Sequence, residues 1–138
     1  HEPWSRVELQ HRFFASLRRE LDGRVCIGIL RQADFDATGA SREEAEGLVE
    51  HTRDIAGVDV GVLLEDLESG RGAKGSLRAG GEVGGMDQLA AHFGGGGHAR
   101  AAGFTFHEPI DAFIPRFLGV LDQHLRGETL TALSGNLS

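Results

Sequence analysis

The sequence predicts an α/β fold, with α+β as the adjacent possibility: a small mixed sheet of about four strands packed with three to four helices. Three observations carry this prediction. Apolar residues recur at helical spacing over residues 5–21, 41–56 and 111–125. Short apolar or alternating runs at 25–30, 58–67, 73–79 and 104–106 read as strands. The two kinds of segment alternate along the chain, which favours strands connected through helices.

Val7, Leu9, Phe13, Phe14, Leu17 and Leu21 give the first helix its apolar positions, and Asp22-Gly23 ends it with turn chemistry. Val25 to Leu30, bounded by Arg24 and Arg31, has the composition of a buried strand. Ser41 and Glu44 form a capping box, in which hydroxyl and carboxylate satisfy each other's free backbone amides. The helix they open is expected to bury Ala45, Leu48, Val49, Thr52, Ile55 and Ala56 and to stop at Gly57. Val58 to Leu67 places Val58, Val60, Val62 and Leu64 on one side of a strand. Ser69-Gly70-Arg71-Gly72 turns the chain, and Ala73 to Ala79 returns as an antiparallel partner. Met86 to Phe93 is a short helix turning Leu89, Ala90 and Phe93 inward, and Phe104 to Phe106 is the last strand. Ile110, Phe113, Ile114, Phe117, Leu118, Leu121 and Leu125 make a broad apolar stripe. Pro115 inside that stripe requires a helix start near Asp111, because proline is tolerated best in a first turn. Residues 1–126 thus form one domain, and 127–138 read as a flexible tail.

Composition narrows the function. The 138 residues, 40% hydrophobic and 25% charged, suit a globular domain with its own core. No apolar run reaches the ~18 residues of a membrane span. The one cysteine, Cys26, excludes an internal disulfide and fits a reducing, cytoplasmic setting. The net charge of −7 argues against a binder of long nucleic acids. Glycine stands apart: 12 of the 21 lie between Gly70 and Gly103. Over residues 69–103, Arg71, Lys74, Arg78 and Arg100 face only Glu82 and Asp87, a local charge of +2 in an acidic chain. A basic, glycine-rich district of this size suits a compact anion.

Several motifs carry less than they suggest. Gly70-Arg71-Gly72-Ala73-Lys74-Gly75 matches G-x-G-x-x-G, but a strand-like segment follows where a dinucleotide loop needs a helix, so it reads as a hairpin turn. His92, His98 and His107 lack any metal-ligand spacing. Cys26 sits between Val25 and Ile27 as a core residue, and no G-x-S-x-G elbow occurs. The acids Asp34, Asp36, Glu43, Glu44 and Glu46 are explained by a solvated loop and a helix start.

The segment from Phe93 to Phe104 is different. Gly94, Gly95, Gly96 and Gly97 add conformational entropy to the unfolded chain, so four in a row are costly in a small domain. A linker would not be bracketed by Phe93 and by Ala101-Ala102-Gly103-Phe104. Backbone amides without Cβ atoms can cradle a phosphate, with His98 adding a ring donor, Arg100 a fixed charge and Arg78 a planar fork.

This block, Gly94 to Phe104, resembles the GGGH-x-x-AAG element of the C-terminal, DHH-associated domain (type 1) of DHH-family phosphoesterases. Glu46-Gly47-Leu48-Val49, Arg53-Asp54-Ile55-Ala56-Gly57-Val58, Val60-Gly61-Val62-Leu63-Leu64, Ser76-Leu77-Arg78 and Leu89-Ala90-Ala91-His92-Phe93 follow in the family's order, over roughly residues 5–126. The set is most similar to the nanoRNase branch, also called oligoribonuclease/pAp phosphatase. The resemblance implies a two-domain parent whose N-terminal DHH domain binds two divalent metal ions, typically manganese, and whose C-terminal domain grips the substrate. No Asp-His-His string occurs here, so the chain reads as the C-terminal half, without metal ligands, catalytic residues or activity of its own. Its partners are then that N-terminal domain and short RNA or 3′-phosphoadenosine 5′-phosphate. By position, Gly94 to Gly97 and His98 match the nucleotide loop and Arg78 the phosphate-binding arginine. Relatives often carry serine just after that arginine, where this chain has Ala79-Gly80. A cyclic-dinucleotide phosphodiesterase, a single-strand exonuclease and a stand-alone nucleic-acid-binding module remain the alternatives.

Overall fold

The computed structural model describes residues 1–130, so residues 131–138 of the expected tail lie outside the described residues. It contains a six-stranded mixed sheet with helices on both faces, the predicted α/β class with two more strands than expected. The elements run α1 (Trp4–Ser16), β1 (Arg18–Glu20), β2 (Val25–Leu30), α2 (Gln32–Thr38), a 3-10 turn (Arg42–Ala45), α3 (Leu48–Arg53), β3 (Val60–Asp66), β4 (Ala73–Ala79), α4 (Met86–His92), β5 (Gly96–His98), β6 (Ala101–Phe106) and α5 (Ile110–Leu125). The strand order is β1-β2-β3-β4-β6-β5. Only β2 and β3 are parallel, and α2, the 3-10 turn and α3 make the crossover that parallel strands require.

Two apolar layers hold the sheet. On one face Val60, Val62, Leu64 and Leu77 meet Met86 and Leu89 of α4 and the stripe of α5. Phe106 and Phe113 stack there at 3.9 Å between ring centroids. Phe93 and Phe104 lie 5.0 Å apart, so the two residues bracketing the glycine run are in contact. Each such aromatic pair adds about 0.5–1.5 kcal/mol beyond its area. On the other face Leu9 and Phe13 of α1, Phe35 of α2 and Leu48 and Val49 of α3 cover Leu30 and Leu63. Close approach there depends on Gly28 and Gly61. A Cβ on Gly28 would fall 2.3 Å from the Phe13 ring, and one on Gly61 would fall 2.2 Å from Thr52 Oγ1.

Four local expectations need correction. The first helix ends at Ser16, and Arg18–Glu20 instead pairs antiparallel with β2. The hairpin between them forces Leu21 and Asp22, as well as Gly23, into positive φ. The Ser41–Glu44 capping box is real, but it opens a 3-10 turn. Gly47, at φ 84°, breaks the chain before α3, which stops at Arg53, leaving Ile55 half-buried and Ala56 exposed. Part of the glycine run, Gly96–His98, is a strand on the sheet edge. Helix α5 starts at Ile110, next to the expected Asp111, but Pro115 then lies five residues in, past the first turn, where the Asp111 carbonyl loses its amide partner on the solvent side. Beyond α5, Leu130 is partly buried against the core. Among the described residues no helix is long and apolar enough to cross a membrane.

Candidate functional site

Burial patterns locate a bare part of the sheet. All six residues of β2 and the first six of β3 are buried, because helices cover both faces. In β4 and β6 burial alternates in part: Ala73, Leu77 and Ala79, and Ala102, Phe104 and Phe106, face the α4–α5 core. Their neighbours face the other way, and Lys74 and Thr105 are exposed while Arg78, Ala101 and Gly103 are half-buried. Helix α3 reaches β4 through Glu50, and beyond that contact this face of β6 and β5 is uncovered, so an open shelf extends from Arg78 outward.

The register assembles the shelf. Arg78 pairs with Ala101, and Ala101 pairs with His98, so the three side chains share one row across three strands. Two strand spacings put the Arg78 and His98 backbones about 9–10 Å apart, with small Ala101 as the floor between them. In the next row buried Ser76 pairs with Gly103, and Gly103 with Gly96, and the two glycines leave their end of the row open.

Each expected residue has a definite place. Arg78 Nε donates to Glu50 Oε1 at 2.7 Å and Nη1 to the Leu77 carbonyl at 2.9 Å, leaving the Nη2 edge uncommitted among the described residues. Glu50 also holds Arg53 at 2.6 Å, so one carboxylate on α3 aims two guanidinium groups. The side chains of Arg78 and Glu50 are 25% and 34% exposed, which leaves the arginine within reach of a ligand. His98 is exposed on the edge strand, and its ring makes no hydrogen bond to the described residues.

The glycine run divides by role. The Gly94 amide donates to Ala91 O at 3.0 Å and the Gly95 amide to Ala90 O at 2.8 Å, both closing the end of α4. Gly95 and Gly97 lie flat on β6: a Cβ would meet Gly103 O at 2.1 Å in the first case and Ala102 Cα at 2.6 Å in the second. Gly94 and Gly96 face open space. The committed amides and close-packed faces therefore belong to architecture, and Gly96 and His98 are the positions of the β5 strand whose free face lies on the shelf. Arg100 is turned away: its guanidinium donates to the carbonyls of Ala79, Val83 and Gly81 at 3.0–3.2 Å, tying the loop after β4 to the β5–β6 turn.

Beside the shelf runs a groove that sequence reasoning missed. A cavity of about 660 Å³ lies between the 3-10 turn, the start of α3 and strands β3 and β4, with Arg78, Ser76, Lys74 and Glu65 among its lining. Glu65 is 9% exposed. Burial pushes its carboxyl above the usual range, and the nearby positive charges of Lys74 and Arg42 pull partly back. The signal was available in principle, as a carboxylate within the apolar run of β3. Cys26 is a free, buried thiol, pushed up by burial, in keeping with a core role. Among the described residues no group of three or more His, Cys, Asp or Glu is placed to hold a metal ion.

The sequence matches the DHHA1 domain over residues 22–127. No curated protein matches the chain. An exopolyphosphatase-related protein from Bacteroides fragilis superposes with a TM-score of 0.76 at 23% identity, covering 92% of this chain and 36% of that one. The pGpG-specific phosphodiesterase PggH from Vibrio cholerae gives 0.58 at 8% identity, covering 89% and 40%. The C-Ala domain of Aquifex aeolicus alanyl-tRNA synthetase gives 0.53 at 18% identity, covering 78% of this chain and 97% of that one. At these identities the likeness is one of fold, and the chain spans well under half of the first two proteins.

Proposed function

Because the chain belongs to the DHHA1 domain family, we propose that it is the substrate-gripping part of a metal-dependent, DHH-type phosphoesterase, and that its open shelf holds the phosphate of a short nucleotide. The observation that carries this reading is the row Arg78–Ala101–His98 on the uncovered sheet face. A guanidinium edge and an imidazole flank a floor too small to obstruct a phosphate. Arg78 supplies a fixed charge and a planar donor pair, aimed by Glu50. His98 supplies a ring N–H from the opposite strand. Gly96 leaves room at the edge for backbone approach. The names of two structural neighbours, an exopolyphosphatase-related protein and a pGpG-specific phosphodiesterase, agree with a phosphate-bearing substrate.

Short oligoribonucleotides and 3′-phosphoadenosine 5′-phosphate are the proposed substrates of the whole enzyme, in a cytoplasmic setting. Two divalent metal ions, manganese by family resemblance, would be held by an N-terminal DHH domain. In this reading the chain's own part is binding and orientation. A binder of long strands is disfavoured, since the net charge is −7 and the shelf carries no basic track.

The test is an NMR titration of the 138-residue chain with pApA beside the His98→Ala and Arg78→Ala variants. Saturable shifts at Arg78 and Gly96–His98 are expected. The Arg78 variant should weaken binding by at least tenfold, as loss of a charge-assisted hydrogen bond is worth about 1.5–3 kcal/mol. Shifts confined to other surfaces, or binding untouched by both variants, would remove the phosphate role from this shelf.

A further inference from the structure

We propose that the groove beside Arg78 is a base-reading subsite in which the Glu65 carboxylate accepts the two N–H groups on the Watson–Crick edge of guanine. The inference rests on the phosphate reading of the shelf, since it places the base of the same nucleotide whose phosphate Arg78 holds.

The chemistry of Glu65 comes first. It is 9% exposed, and its side chain makes no hydrogen bond or ion pair with any described residue. Neither carboxylate oxygen is sealed from solvent without a partner, so both open on the groove it lines. A buried polar group without a partner costs free energy, and a carboxylate can only accept when ionised. Both oxygens stay open to solvent, and a ligand presenting two parallel donors can take the place of that solvent. Arg42 does not fill the role: Nε donates to Asp66 O, Nη2 to Gln32 Oε1, and its guanidinium lies 3.7 Å over the Phe35 ring.

Charge and shape then narrow the ligand. Glu43, Glu46, Asp66 and Glu68 also line the groove, and they repel a second phosphate. Leu63, Val49 and Ala45 supply apolar surface along the same walls. A flat, uncharged ring with N–H donors on one edge meets all three conditions. Glu65 faces Lys74 across the β3–β4 pairing, and Lys74 is four residues from Arg78. That is about 13 Å along an extended strand, a span one nucleotide bridges from phosphate to far base edge. Among the bases, guanine presents two parallel donors, N1–H and N2–H, matching a carboxylate's two oxygens. Adenine offers one donor beside an acceptor, which opposes an ionised carboxylate.

An amide in place of the carboxylate has one acceptor and one donor, the pattern that adenine complements. The Glu65→Gln substitution should therefore reverse the preference rather than merely weaken it. The experiment titrates the full chain with GMP, AMP and inorganic pyrophosphate, following backbone resonances, for wild type and Glu65→Gln. Wild type should bind GMP about tenfold tighter than AMP, with shifts at Glu65 and Lys74 as well as at Arg78, and the variant should favour AMP. Pyrophosphate affinity should be the same in both, which also reports that the variant is folded. Equal affinity for GMP and AMP in wild type, or a GMP preference kept in Glu65→Gln, would overturn the proposal while Arg78-dependent pyrophosphate binding kept the phosphate reading intact. A pyrophosphate that leaves Arg78 and His98 unmoved would sink the phosphate reading, and GMP shifts at Glu65 absent in the variant would still support base recognition.

Discussion

The two halves of the sheet obey different rules. Strands β2 and β3 are covered on both faces, and glycine appears in them where a helix presses closest: Gly28 beneath Phe13 and Gly61 beneath Thr52 and Arg53. Strands β4, β6 and β5 are covered on one face, and the open part of the other carries Arg78, His98, Thr105 and small residues, with Ser76 buried at its inner end. Small residues thus serve opposite ends in the two halves. In the covered half they let one part of the protein approach another. In the open half, Ala101, Gly103 and Gly96 keep the surface low between two donors, so that something else can approach. The difference separates substitutions expected to unfold the domain from those expected to disarm it.

The sharpest way to test that separation is to fill the covered half. Gly61→Val places a Cβ 2.2 Å from Thr52 Oγ1 and 2.7 Å from the Arg53 backbone nitrogen, and backbone cannot rotate out of the way. Overpacking against a main chain should destabilise the domain by about 3 kcal/mol, read as a lower denaturant midpoint with an unchanged slope. A Gly61→Val protein of wild-type stability would mean that α3 is not seated as described.

The glycine run offers the same comparison within four residues. Gly97 sits at φ 149° with Ala102 Cα 2.6 Å from its would-be Cβ, whereas Gly96 has nothing within 4 Å and an ordinary φ. Gly97→Ala should cost about 2 kcal/mol in stability, by strain and overpacking together. Gly96→Ala should melt within experimental error of wild type, while its methyl, standing on the shelf, reduces pApA affinity several-fold. Equal effects of the two substitutions on both readouts would erase the distinction between architectural and ligand-facing glycines.

How much of this was legible beforehand follows from the range of the interactions involved. Val25–Leu30 and Ala73–Ala79 were readable to the residue, because composition and flanking turns act locally. Arg18–Glu20 was not: Leu17 and Leu21 extend the helical spacing, and only pairing with β2 overrides it. Helix α2 buries a single residue, Phe35, and so writes no periodicity. β5 contains two glycines and a histidine, none with strand propensity, and exists because β6 supplies its partner. The same division holds for the site. Arg78 and His98 stand out by residue type and motif, while the row joining them depends on a register set by three strands. Arg100 has the right charge, yet its donors go to three carbonyls that no local pattern announces. Glu65 is one acid in an apolar strand, and its solitude depends on which side chains fail to reach it.

That solitude leads to the smallest expected effect, a change in pH dependence. Glu65 lies on the boundary between the halves, on a covered strand but facing the groove. Burial raises its carboxyl pKa in the folded protein, and Lys74 and Arg42 only partly oppose this. The folded state therefore holds the Glu65 proton more tightly than the unfolded chain, where the ordinary value is about 4.3. Below that value both states are protonated and nothing is lost. As pH rises from there through the folded pKa, the unfolded state ionises first, so this residue's contribution to stability declines and then levels off. Glu65→Gln cannot ionise and escapes the decline. The variant should accordingly be more stable than wild type at neutral pH, with the gap closing as the solution is acidified toward the ordinary glutamate range. Denaturant midpoints of both proteins across that interval give the measurement. A variant less stable than wild type at neutral pH would mean that the charged carboxylate is held by favourable contacts, and the groove would then belong with the covered half of the sheet.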